Sequence, residues 1–253
     1  MRKLPQITLA FWIMKICATT LGETAGDLIA QTLQVGYLLS SAVLVGIFLV
    51  TVVTQLWTKR FHPALYWTVI LSTSMAGTTM SDFMNRTAGL GYANGAAVLI
   101  TLLVAVFALW KVSGYPFRVQ DITTFRGEML YWTAILISNT LGTSLGDFLA
   151  DDTGLGFAGT ALVIGGVLLL ALAAMRFTAI SNTLLFWFAF VLTRPLGASA
   201  GDFFSKPVDQ GALGYGTVGA SVILLSVLVL LVGRQYWQQS RASTGLLTVV
   251  PQE

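Results

Sequence analysis

The sequence predicts an all-α, polytopic membrane protein of eight transmembrane helices, built as four parallel two-helix repeats with a pseudo-fourfold arrangement. Three observations predict this fold. First, 55% of the 253 residues are hydrophobic and 10% are charged, whereas soluble domains carry about 25% charged residues. Second, the chain contains eight apolar stretches, each near the length of about 20 residues that crosses a bilayer. Third, a tryptophan and an aspartate recur four times at one fixed spacing.

The composition also excludes several classes of protein. A chain of this size could not bury so much apolar surface in water, so an ordinary soluble enzyme is excluded. The net charge of +3 comes from basic residues at helix ends, and it therefore does not indicate nucleic-acid binding. A single cysteine, Cys17, excludes an internal disulfide, and a single histidine, His62, excludes a metal site built from histidines. No cofactor is predicted.

The eight predicted spans are joined mostly by short connections. Their expected limits are 7–28, 36–57, 63–83, 91–110, 128–149, 157–175, 180–203 and 215–233. The longer linker 111–127 divides the chain into a first repeat pair at 1–120, spans one to four, and a second pair at 121–236, spans five to eight. We expect residues 237–253 to form a flexible cytoplasmic tail.

Basic residues are distributed very unevenly between the two sides of the predicted bundle. Only two follow odd-numbered spans, Arg86 and Lys206. Ten lie at the N-terminus or after even-numbered spans: Arg2, Lys3, Lys59, Arg60, Lys111, Arg118, Arg126, Arg176, Arg234 and Arg241. Because cytoplasmic loops are enriched in lysine and arginine, this bias predicts a multi-pass membrane protein with both termini in the cytoplasm.

The internal repeat is the most informative feature of the sequence. Each copy has a tryptophan fifteen residues before an aspartate, a glycine five before, and a serine or threonine three before. The tryptophans are Trp12, Trp67, Trp132 and Trp187, and the aspartates are Asp27, Asp82, Asp147 and Asp202. Each copy contains two spans, so all copies have the same orientation and all four aspartates are expected at one face of the membrane, the outer one.

These tryptophans and the recurring G-x-[TS]-x-x-D motif resemble a known family. The chain is similar to bacterial multi-pass membrane proteins made of four tandem two-helix repeats of unknown function, each with a characteristic tryptophan. The resemblance covers residues 7–235, and the fourth copy departs from it through Arg194-Pro195 and a longer following loop. The resemblance implies the fold and a location in the cell (inner) membrane, and it implies no activity.

Each odd span carries a polar stripe on the helix face that ends at its aspartate, because residues four and eight positions apart share one face. A carboxylate is costly in lipid, so the stripes should face the bundle interior. Carboxylates and hydroxyls are ligands for hard cations such as Mg²⁺, Ca²⁺ or Na⁺, and close carboxylates can also share a proton. The predicted ligands are the four aspartates with the hydroxyls of Thr24, Thr79, Ser144 and Ser199.

Three polar residues break the fourfold pattern, and we expect them to set selectivity: Glu23, Asn139 and Arg194. A buried arginine needs an anionic partner, and we expect that partner to be a motif aspartate. Pro195 predicts a kink or break in span seven. We expect Lys15 to reach the cytoplasmic interface and the four tryptophans to form an aromatic belt there.

Two interpretations of the motif remain open at this point. The first is a transporter or channel for a small cation, a proton or a polar solute, with an outward-facing site. The second is a non-transporting sensor or scaffold, in which the glycines allow close helix packing and the aspartates cap a short outer turn. An enzyme is not expected, because the sequence contains no nucleophile–histidine set or zinc motif. The bilayer is the expected partner, and no nucleic acid is.

Overall fold

The computed structural model describes residues 4–247, and describes side chains as far as residue 241. The expected basic residues Arg2 and Lys3 lie outside the described residues. The part described consists of helices and connecting turns, with eight long helices as predicted. They are α1 Leu9–Asp27, α2 Tyr37–Trp57, α3 Pro63–Asp82, α4 Tyr92–Val112, α5 Phe125–Asp147, α6 Gly156–Phe177, α7 Asn182–Ser205 and α8 Gly216–Leu247.

The odd helices form a closed inner ring. Around this ring α1 contacts α3, α3 contacts α5, α5 contacts α7, and α7 contacts α1 again. Each even helix packs outside the ring against the odd helix that follows it, so α2 lies on α3, α4 on α5 and α6 on α7. Helix α8 completes the pattern by packing on α1. The two repeat pairs therefore share one ring, and the predicted pseudo-fourfold arrangement is confirmed.

Hydropathy follows this division into two layers. Five helices are each long and apolar enough to cross a membrane by themselves, namely α2, α4, α6, α7 and α8. The even helices expose many large apolar side chains, such as Leu39, Val104 and Leu170, as expected of surfaces that face lipid. Helices α1, α3 and α5 instead bury runs of polar side chains, which the outer helices separate from the bilayer.

Small residues allow the ring to close. The glycine five positions before each aspartate lies against the next odd helix around the ring, at the residue eight positions before that helix's aspartate. A Cβ built at Gly77 would lie 2.8 Å from the backbone carbonyl carbon of Asn139, and one at Gly197 would lie 2.9 Å from that of Thr19. A side chain at these glycines would therefore push neighbouring helices apart, as at small-residue crossings of membrane helices.

The structure differs from the predictions for two helices, α7 and α8. Of the expected kink or break at Pro195, the break does not occur, because helix α7 continues through Pro195 as one helix. Helix α8 continues to Leu247, beyond the expected limit of 233. The first part of the expected tail, 237–247, is therefore helical, and residues 248–253 lie outside the described residues.

Candidate functional site

The four motif aspartates gather at one end of the ring, which we call the aspartate end. Each ends or nearly ends an odd helix, and their exposed fractions are only 2–4%. A π-helical turn follows the first three, at Leu28–Thr32, Phe83–Thr87 and Phe148–Asp152. The aspartates make no capping hydrogen bond to these turns, since the backbone continues as helix and keeps its own bonds. The capping interpretation of Asp27, Asp82 and Asp147 is therefore wrong.

Two basic side chains divide the aspartates into two pairs. Lys206 Nζ lies 2.7 Å from Asp27 Oδ2 and 3.5 Å from Asp202 Oδ1, and so bridges repeats one and four. Arg86 Nε lies 3.1 Å from Asp82 Oδ1, and its Nη2 lies 3.8 Å from Asp147 Oδ2. We call these groups the lysine half-site, Asp27, Asp202 and Lys206, and the arginine half-site, Asp82, Asp147 and Arg86.

Sequence reasoning missed both cations as site residues. Each lies four positions after a motif aspartate, in repeats two and four, where repeats one and three have Gln31 and Asp151. Since residues four apart share a helix face, this spacing was the signal that could have identified them. Burial lowers the pKa of Lys206, but the carboxylates of Asp202 and Asp27 outweigh that effect and raise it above its ordinary value. Lys206 is therefore a cation at neutral pH.

A second polar layer lies one helical turn below the aspartates and joins all four odd helices. Arg194 Nη1 donates to Glu23 Oε2 at 2.8 Å, and its Nη2 donates to the hydroxyls of Thr78 and Thr143 at 2.6 and 2.8 Å. These two hydroxyls also bond Glu23 Oε2, each at 3.1 Å. Helix α7 has the small Ala198 four residues before its aspartate, where the other odd helices have Glu23, Thr78 and Thr143. The Arg194 side chain reaches up from the preceding turn and fills the space beside Ala198.

The partner of Arg194 is therefore Glu23, not a motif aspartate as expected. Glu23 sits at the depth that the guanidinium reaches from α7, and it is 2% exposed while Arg194 is 0% exposed. The two side chains form a buried ion pair, with Arg194 Nη1 and Glu23 Oε2 2.8 Å apart. Two of the three residues that break the fourfold pattern thus form one contact across the ring.

The other predicted ligands lie elsewhere. The hydroxyl of Thr24 donates to the backbone of its own helix and accepts from Ser221 of α8, and that of Thr79 donates to its own helix backbone. Ser144 contacts Ser81 at the α3–α5 crossing. The structure brings none of these three to an aspartate. The remaining two, Ser199 and Asn139, are buried with side-chain atoms that have no hydrogen-bond partner.

A cavity of about 330 Å³ opens onto the aspartate end. Both half-sites contribute to its wall, through Asp147 and Arg86 from one and Asp202 and Lys206 from the other. Asp151, which is exposed, adds a further carboxylate. Small polar species in water can therefore approach the buried carboxylates from this side.

The opposite end of the ring is filled by aromatic side chains. Trp67, Trp132 and Trp187 are buried, with exposed fractions of 1%, 2% and 7%, and they pack edge-on or tilted against neighbouring tyrosines and phenylalanines. Within this layer the hydroxyls of Tyr66 and Tyr131 lie 2.7 Å apart. The expected interfacial belt is wrong for these three tryptophans, because each packs into the ring instead of facing lipid. Trp12 is partly buried.

Lys15 lies between the aromatic layer and the Arg194–Glu23 pair. It is fully buried, and its Nζ sits 4.0 Å from the centre of the Phe190 ring without a hydrogen-bond partner. The expectation that it reaches the interface is wrong, since its side chain turns into the ring. From the aspartate end to the opposite end, the axis of the ring therefore carries the aspartates with Arg86 and Lys206, then the Arg194–Glu23 pair, then Lys15, and finally the aromatic layer.

One group of carboxylates in the described part of the chain is close enough to share a cation. One carboxylate oxygen each from Glu23, Asp27 and Asp202 lie within 4.8 Å of one another. Asp27 Oδ1 is buried and has no hydrogen-bond partner. Three hard oxygen donors of this kind suit Na⁺, Mg²⁺, Ca²⁺ or Mn²⁺.

Comparisons with known proteins agree with the repeat. A family described as Repeat of Unknown Function (DUF347) matches the chain four times, at residues 10–61, 65–115, 130–181 and 185–241. No curated protein and no solved structure matches. The four matches cover most of the chain and coincide with the four helix pairs, and the protein is thus an integral membrane member of this repeat family of unknown function.

Proposed function

We propose that the protein transports a small cation, either a metal ion or a proton, and that the motif aspartates form its binding site. The charge balance of the buried site is the observation that carries this proposal. Four aspartates are 2–4% exposed, and two basic side chains contact them. Within the described part of the chain, two carboxylates therefore lack a cationic partner of their own.

An uncompensated charge in a buried site costs several kcal/mol, roughly, even after the surroundings relax. The surplus is neutralised by two protons, two monovalent cations or one divalent cation. Each of these is a species that the cavity admits and that oxygen donors bind. A scaffold that binds no cation does not require two unpaired carboxylates. Four aspartates paired with four cations, or four neutral residues, would be buried at a lower cost in free energy.

The two ends of the ring support a transporter in one conformation. The aspartate end is open through the cavity, whereas the tryptophan end is filled by aromatic rings. Together with the positive charge predicted for the cytoplasmic loops, this supports an outward-facing site in the inner membrane. Movement of a cation toward the cytoplasm then requires the Arg194–Glu23 contact to open and the side chains of the aromatic layer to move apart.

The thermal stability of the purified protein tests the binding site. It would be measured with Na⁺, Mg²⁺, Ca²⁺ and Mn²⁺ separately, and across pH in the absence of metal. A ligand of the folded state stabilises it by about 2.7 kcal/mol at one hundred times its dissociation constant. We expect one cation, or protons, to stabilise the wild type, and Asp27→Asn and Asp147→Asn to fold but lose that response.

Asp209→Asn is the matched control, because Asp209 is an exposed carboxylate at the same end of the molecule. It should respond as the wild type does. If no cation and no pH change stabilises the wild type, or if the Asn variants keep an unchanged response, the aspartates are not a ligand site. The half-site ion pairs, which tie α7 to α1 and α3 to α5, would then favour the sensor or scaffold interpretation.

A further inference from the structure

The two half-sites have the same charge but differ in what holds their cation. Arg86 is tethered twice, since its guanidinium spans both aspartates and also lies over the ring of Tyr92, with Cζ 5.6 Å from the ring centre. Lys206 offers a single ammonium on a flexible chain, and it follows the last residue of α7 directly. An ammonium is a compact point charge, whereas a guanidinium is held in a fixed planar geometry.

The oxygen atoms around Lys206 form the surroundings of a small cation. Its Nζ lies 2.7 Å from Asp27 Oδ2, 3.5 Å from Asp202 Oδ1 and 3.4 Å from Gln31 Oε1. Two of these three residues belong to the carboxylate group that is close enough to share a metal ion. The third member, Glu23, lies one turn below, and the arginine half-site has threonines at the equivalent positions.

The ammonium does not donate to every carboxylate oxygen of its half-site. Asp27 Oδ1 is buried without a hydrogen-bond partner, and Asp202 Oδ1 accepts no hydrogen bond although it lies near Nζ. A metal ion with several open coordination positions would engage both oxygens, whereas one ammonium does not. A metal ion can therefore make more contacts in the lysine half-site than the Lys206 ammonium that now fills it.

We propose that Lys206 is a tethered cation that occupies the ion site of Asp27, Asp202 and Glu23, and that an incoming cation displaces it. This inference rests on the proposed function, because it identifies where that cation binds and what it competes with. Lys206 is then a specificity-determining residue. In the empty site its charge balances one of the two aspartates, and it sets a threshold of affinity that an ion must exceed. Arg86 is the fixed counterpart that does not leave.

Removing the competing charge should tighten binding of the ion. In titrations with Na⁺, Mg²⁺, Ca²⁺ and Mn²⁺ separately, Lys206→Met should lower the dissociation constant of the bound cation at least about tenfold, because a unit charge a few ångströms away is removed. Lys206→Arg, which keeps the charge, should not lower it. Arg86→Met is the matched control in the other half-site and should change the constant much less than Lys206→Met does.

A second measurement uses the unchanged protein, and so does not depend on how variants fold. A water-soluble amine reagent is added to the purified protein in detergent, with and without the cation, and modification of Lys206 is read by mass spectrometry against Lys111, which is exposed. Displacement frees the ammonium from its carboxylates, so modification of Lys206 should rise several-fold when the cation binds. Modification that stays the same or falls on cation binding overturns the displacement.

The outcomes separate this inference from the proposed function. Equal tightening in Lys206→Met and Arg86→Met would indicate a general electrostatic effect and would contradict a site at Lys206. Wild type that binds a cation with no change in Lys206 modification refutes the inference alone. Absence of binding to both wild type and Lys206→Met refutes the proposed function as well.

Discussion

Neutralising Glu23 leaves a positive charge with no counterpart in the middle of the ring. Arg194 is 0% exposed and Glu23 is 2% exposed, and their charged atoms are 2.8 Å apart. Removing one partner of a buried pair costs about 3–5 kcal/mol. Glu23→Gln retains an oxygen that can accept from the guanidinium, so we expect a loss near the lower limit, about 3 kcal/mol. That is a large share of the ~5–15 kcal/mol that stabilises a folded protein.

Reversible unfolding in mixed detergent micelles measures this loss, and the double variant Glu23→Gln/Arg194→Met controls for it. Methionine fills much of the arginine's volume without a charge, so the double variant should recover most of the stability lost by Glu23→Gln. We expect a coupling energy of about 2–3 kcal/mol between the two positions. Additive losses, with no recovery in the double variant, would refute the assignment of Arg194 and Glu23 as mutual partners.

Two further predictions concern packing along the ring. Gly77→Ala should lower the free energy of unfolding by about 1–3 kcal/mol through overpacking, because the added Cβ would lie 2.8 Å from the backbone of α5. In the same unfolding assay Gly46→Ala, which meets nothing within 4 Å, should be neutral or slightly stabilising; equal losses would contradict the ring contact. Lys15→Met should raise the free energy of unfolding by about 1–2 kcal/mol, since it removes a buried ammonium that lies against the Phe190 ring and has no hydrogen-bond partner among the described residues. Exposed Lys111→Met should leave it unchanged, and a loss of stability in Lys15→Met would point to an acceptor for the ammonium.

The architecture could be predicted from the sequence because four repeats show the same spacing of tryptophan, glycine and aspartate. The spacing of tryptophan, glycine and aspartate placed all the motifs at one end of the bundle, and polar stripes predicted which helices form its interior. The positions of Asp27 and its three counterparts follow from that pattern alone. The periodicity of polar residues along a helix indicates which face is buried in the ring, and the repetition of the two-helix unit indicates the symmetry of the bundle.

Contacts between helices could not be predicted in the same way. The partner of Arg194 depends on how far its side chain reaches across the ring and on the space left by Ala198, and neither is visible within one helix. Lys206 and Arg86 were assigned to loops, although their spacing from the aspartates places them on the same face. Tryptophans at a helix end are typical of an interfacial belt, but here the neighbouring aromatic residues draw them into the ring.

Ion flux into proteoliposomes measures whether the protein moves a cation across a membrane. Reconstituted protein would be exposed to a mixture of Na⁺, Mg²⁺, Ca²⁺ and Mn²⁺, with internal ions quantified by elemental analysis and internal pH by a trapped dye. We expect one species to enter faster than in empty liposomes, Asp27→Asn to abolish the difference, and Asp209→Asn to preserve it. A stabilising cation that binds at the aspartates but does not cross, in protein reconstituted in either orientation, would contradict a transporter and favour a sensor.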